Sequence, residues 1–177
     1  MMNYLRDSGI FVLLILTTGL SGCASRFLWY QDSVYGIKIQ YPKEWTVHEK
    51  AEGVGVVAFR SPPKGSMDAF QENLNIVVQD LGGRSIPLMQ FSEMAINQLR
   101  QMYSNVEILE SEPMVLSGKA GHKVEYIVRA ELKIKILQVW TIKNYKAYII
   151  TFSADADHYQ DYSTTAWNMI NSFQIPP

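Results

Sequence analysis

Two neighbouring stretches, 132–142 and 146–153, are apolar on both faces, and this limits what the chain can become. Successive side chains of a strand point to opposite sides. Ile136 and Trp140 lie on one side of the first stretch, while Leu137 and Val139 lie on the other. Ala147 and Ile149 against Tyr148 and Ile150 repeat the pattern in the second. Strands of this kind are covered on both faces. A sheet that contains them needs a layer on each side, which excludes an open one-sided sheet.

The remaining periodicities supply the other strands and the covering layers. Two more strands, 106–116 and 120–130, precede this pair. The joints are Ser117-Gly118, a tight turn near Glu131, and Asn144-Tyr145. Long strands joined by short turns are antiparallel neighbours. Upstream, Ile37, Ile39 and Tyr41 alternate with Lys38 and Gln40 before Pro42 ends the run, and further strands are predicted over 54–59 and 74–79. Leu88, Phe91, Ala95, Leu99 and Met102 fall at helical spacing. They predict a helix from about Pro87 to Tyr103, with Asn105 able to take the left-handed conformation just after it. Tyr159, Tyr162, Ala166, Met169, Ile170 and Phe173 make the apolar stripe of a final helix, with Asp155 and Asp157 at its start, where negative charge opposes the helix dipole. The expected fold class is α+β: a mostly antiparallel sheet with helices packed on both faces.

The first 22 residues constrain location instead. Arg6 precedes the apolar run 10–16, and small residues close it, the layout of an export signal. The run is about half the ~20 residues that a membrane crossing needs. It leads into Leu20-Ser21-Gly22-Cys23, which resembles the bacterial lipoprotein lipobox, where the cysteine sulfur receives a diacylglycerol and becomes the new amino terminus. The plainer alternative is a secreted protein with one stray thiol. The expected organisation is a signal peptide over 1–22, lipidated Cys23 with a short tether over 23–32, and one globular domain over 33–177. Trp29 and Tyr30 either sit among headgroups or pack as the first residues of the domain. Ala24-Ser25 lack the acidic residue that retains some lipoproteins at an inner membrane. This favours the outer membrane in a cell with two, and otherwise the outer face of the cell membrane or a thylakoid lumen. Cys23 is the only cysteine, so a lipidated protein has no disulfide and no thiolate ligand. A net charge of −1 argues against a bulk nucleic-acid binder.

Several clusters carry a family resemblance. They are Tyr35-Gly36-Ile37 leading to Tyr41-Pro42 and Trp45; Leu116-Ser117-Gly118 followed by Gly121 and Glu125-Tyr126; Tyr145-Lys146-Ala147-Tyr148-Ile149-Ile150-Thr151; and Ile170-Asn171-Ser172-Phe173. With the order of elements, residues 33–175 resemble the PsbP family of photosystem II extrinsic proteins and related bacterial lipoproteins. A yeast factor that binds the small GTPase Ran is a distant relative of that fold. The resemblance implies a PsbP-like α/β/α sandwich and a non-enzymatic protein that docks on a membrane complex. Some photosystem members help to retain calcium and chloride, but no calcium-loop pattern carries that property onto residues here.

Candidate chemistry is sparse. No catalytic residue or cofactor is expected: there is no Gly-x-Ser-x-Gly elbow, and Gly82-Gly83-Arg84-Ser85 lacks the spacing of a phosphate loop. Asp155, Asp157 and His158 are the best metal candidates, since carboxylates and imidazole converge at a helix start; the alternative is a plain N-terminus with favourable charges. Between 119 and 146 seven basic residues face two acidic ones, whereas 66–112 carries seven acidic and two basic. Lys133, Lys135, Lys143 and Lys146 are therefore the candidate docking surface, for anionic headgroups or an acidic partner. The alternative is lysines that keep sheet edges soluble. The expected function is a monomeric, membrane-anchored, extracytoplasmic accessory or assembly factor for a membrane protein complex. The runner-up is an envelope lipoprotein that binds a metal ion or small molecule between sheet and helix.

Overall fold

The computed structural model describes residues 26–49, 55–65, 69–129 and 131–176. Strands β1 (Phe27–Gln31), β2 (Lys38–Pro42), β3 (Thr46–Glu49), β4 (Val57–Arg60) and β5 (Asn73–Asp80) precede helix α1 (Leu88–Met102). Strands β6 (Glu107–Leu116), β7 (Lys119–Arg129), β8 (Lys133–Lys143) and β9 (Lys146–Asp155) follow, and helix α2 (Tyr159–Ser172) closes the chain. Seven strands form one antiparallel sheet in the order β3-β4-β5-β9-β8-β7-β6, and β1-β2 is a separate ribbon.

The two-faced strands sit centrally and are covered on both sides, the α+β arrangement expected. Leu137, Val139, Tyr148, Ile150 and Phe152 meet α2 and the ribbon through Ala166, Met169, Ile170, Ile37 and Ile39. Ile136, Trp140 and Ala147 meet α1 through Phe91 and Leu99. Trp140 is fixed by its indole N–H, which donates to Ser92 Oγ at 2.9 Å, while that hydroxyl donates to Leu88 O. The edge strand β6 is largely exposed and carries Glu107, Glu110, Glu112 and Pro113, which blunt it against pairing with another chain.

Three local expectations change. Phe27–Gln31, assigned to the tether, is β1: it pairs with β2 from Phe27↔Pro42 to Gln31↔Lys38, and Tyr30 is buried against Phe59. Asn105 is not left-handed; α1 ends at an extended Tyr103, and the Asn105 side-chain amide donates to Arg129 O. Asp155 ends β9 rather than opening α2, and the acidic residue of the first helical turn is Asp161. Among the described residues no helix is long and apolar enough to cross a membrane. Leu20, Ser21, Gly22 and Cys23 lie outside the described residues.

Candidate functional site

The register of the meander decides what each lysine does. Lys133 and Lys143 are the two ends of β8, so at ~3.3 Å per residue they stand about 33 Å apart. The four candidate lysines are therefore two groups rather than one surface. Lys135 is occupied within the fold: its ammonium pairs with Glu125 at 2.9 Å and lies 4.1 Å from the Tyr159 ring centre. The Tyr159 hydroxyl is buried without a hydrogen-bond partner. Burial first, then the nearby Glu125 and Glu110 carboxylates, push its ionisation well above the ordinary tyrosine range. Lys123, on the same face, bridges Glu112 at 2.9 Å and Glu110 at 3.0 Å. The hydrogen bond to Glu112 raises the lysine above its usual value and holds that carboxyl below its own. Arg129 pairs with Glu107.

The other end of the sheet differs. Lys143 and Lys146 are direct partners across the β8–β9 turn, and the β7 register brings Lys119 beside them. Among the described residues no ion pair reaches Lys119, Lys143 or Lys146; Lys143 donates to the Pro176 carbonyl. Asp80, across from Lys146, turns its carboxylate to the Gly82 N–H instead, at 2.7 Å. Arg84 and Tyr145 join Lys143 around a depression of about 250 Å³.

Tyr145 stands out from the turn. Asn144 and Tyr145 have φ of 49° and 59°, the geometry of a tight hairpin whose two central residues are left-handed. The β6–β7 turn has the same form at Ser117 and Gly118, φ 51° and 69°, with glycine in the second place. Glycine adopts this conformation freely, whereas another residue is strained by roughly 1–2 kcal/mol. Tyr145 bears that strain while 53% exposed, with its carbonyl fixed by the Leu81 N–H at 2.8 Å. An exposed aromatic ring among three lysines and an arginine suits recognition of an acidic protein surface, since aromatic and cationic side chains supply interface anchors.

Asp155, Asp157 and His158 do not converge on a metal. Asp155 Oδ1 accepts the Asp157 N–H at 2.9 Å, and His158 Nδ1 faces Asp161 Oδ2 at 3.4 Å. Among the described residues no group of three or more His, Cys, Asp or Glu is placed to hold a metal ion. The paired lysines were hidden in the sequence because pairing depends on register. Counting outward from the Ser117-Gly118 turn sets Glu112 opposite Lys123 and would have found that bridge.

The chain enters and presents at opposite ends. β1 begins beside Pro42, and the chain runs on from there to Trp45, which packs on Tyr162 in the first turn of α2. The basic turn lies by the far end of α2, where Ile175 and Pro176 bond Ser117 and Lys143.

The family described as PsbP matches residues 25–175. No curated protein matches the chain in sequence. Among solved structures, cyanobacterial PsbP (CyanoP) from Synechocystis sp. PCC 6803 is 16% identical with a TM-score of 0.64, covering 88% of this chain and 96% of its own. LpqN, involved in cell envelope biogenesis of Mycobacterium tuberculosis, is 11% identical at 0.63, covering 80% and 83%. The Saccharomyces cerevisiae Ran-binding protein Mog1p is 9% identical at 0.57, covering 84% and 95%. These likenesses are likenesses of fold.

Proposed function

Because this chain belongs to the PsbP family, we propose that it is a lipid-anchored, extracytoplasmic accessory protein that docks on an acidic surface of a membrane protein complex through its Tyr145 turn. The observation that carries this reading is the strained, exposed Tyr145 among lysines that form no ion pair among the described residues. The envelope role of LpqN and the membrane-complex setting of PsbP proteins support the location. With a lipid on Cys23, four residue steps lead to Phe27, at most about 14 Å of chain. The end carrying Phe27 is then held at the bilayer. The basic turn, which lies by the other end of α2, is held out from it. That arrangement favours a protein partner over lipid headgroups.

Two arms test it. Cys23→Ser should move the protein from the membrane fraction to the soluble one; unchanged partition removes the anchor. In mild-detergent co-purification of the anchored protein, Lys143→Glu with Lys146→Glu should lower partner recovery about tenfold, whereas Lys133→Glu should leave it intact. Tyr145→Gly should lower recovery while melting no earlier, because it relieves the turn. Equal recovery from all variants would discard this surface.

A further inference from the structure

Between α1 and the centre of the sheet runs a cleft of about 360 Å³ whose chemistry differs from the rest of the molecule. None of its fourteen lining residues is Asp, Glu, Lys, Arg or His, in a chain that is 19% charged. Its outer lip is Met94, Gln98 and Met102, one helical turn apart. Both methionines are more than half exposed, at 54% and 61%. Its floor is the α1 side of β8 and β9, where Gln138 sits across from Thr151 and Ile136 across from Ser153.

Both walls depart from what their exposure predicts. The helix presents methionine where water would favour a polar residue, and thioether side chains reshape around apolar guests. The same two strands carry Leu137, Val139, Ile150 and Phe152 on the covered side, whereas here Gln138, Thr151 and Ser153 stand beside Ile136 and Ile149. Gln138 Nε2 donates to Thr151 Oγ1 at 3.0 Å, which orders the floor. A lining that mixes apolar side chains with neutral amides and hydroxyls, and carries no charge, matches a molecule that is itself half apolar and half neutral polar. A charged guest would lose hydration and meet no counter-charge.

We infer that this cleft binds one uncharged amphiphile, its hydrocarbon part along Met94, Leu99 and Met102 and a hydroxyl or amide end on Gln138, Thr151 or Ser153. The binding is separate from docking at the Tyr145 turn and does not depend on it.

The test uses the full chain in its native membrane and a long-chain fatty alcohol bearing a photoactivatable diazirine. After irradiation, peptide mapping should find label concentrated on α1 and on β8–β9. Excess unlabelled alcohol should suppress it at least tenfold, and the matching fatty acid, at a pH where it is ionised, should not. Ala95→Trp, which fills the cleft, should abolish this labelling. Gln138→Glu keeps the volume but charges the floor and should lower labelling at least fivefold, so a folding defect in the first variant does not decide the matter. Labelling that persists in Gln138→Glu, that the ionised acid competes equally, or that spreads evenly over the surface would overturn the inference. Loss of partner docking with labelling intact would strike only the docking surface.

Discussion

The two faces of the sheet are closed to different degrees. Among the described residues, helix and ribbon together seal a core of twenty-one buried residues on the α2 side, from Tyr30 and Ile37 to Phe173. On the other side α1 alone covers eight, and the cleft opens beside it. Apolar burial stabilises at roughly 25 cal/mol per Å², so the α2 face holds the fold and the α1 face has latitude for binding. Local opening follows the same division, since weakly covered elements open at lower free energy than the core.

The sharpest way to break this comparison is a matched pair of truncations. Leu137→Ala, at a side chain of the α2-side core with no exposure, should cost about 4–5 kcal/mol in denaturant unfolding, the high end for leucine. Leu99→Ala, 8% exposed and bordering the cleft, should cost about 2 kcal/mol, the low end for leucine. Equal losses would mean that α1 is bound as firmly as α2. A smaller effect separates packing from pinning on the α1 side. Ser92→Ala removes the acceptor of the buried Trp140 N–H and should cost about 1–3 kcal/mol, chiefly through the unpaired donor. If stability is unchanged, α1 is held by contact area alone.

The sequence revealed the sealed face better than the open one, for physical reasons. β6 to β9 lie within about two residues of their predicted bounds, because two-residue alternation and turn residues act locally. β1 escaped because Phe27-Leu28-Trp29-Tyr30 is apolar without alternation, and only Tyr30 of that run is buried. β3 is four residues with half-exposed interior positions, too short to show a period. In sequence Lys133 and Lys135 lie near Lys143 and Lys146 and form one patch, whereas an eleven-residue strand carries them to opposite ends. The cleft left only one trace, Met94 outside the apolar stripe of its helix.

The smallest expected effect probes the rim of the thinner face. The His122 ring stacks on Trp140 at 5.3 Å and lies 2.9 Å from Ser111 Oγ. Burial lowers its basicity below the usual 6.5, and the Glu112 carboxylate only partly restores it. The unfolded chain therefore binds a proton at a higher pH than the folded one. Stability is fully present above about pH 6.5 and falls as acid is added towards the depressed folded value, where the unfolded state is protonated first. Glu112, held below 4.5 by Lys123, loses its contribution only at lower pH, so it stays out of this window. Urea unfolding at about pH 7.5 and 5.5 should show wild type losing more stability than His122→Gln, by a fraction of the 1.36 kcal/mol that one full pKa unit represents. Identical losses would show that His122 meets water at the rim, and that the α1 face is open there as well as at the cleft.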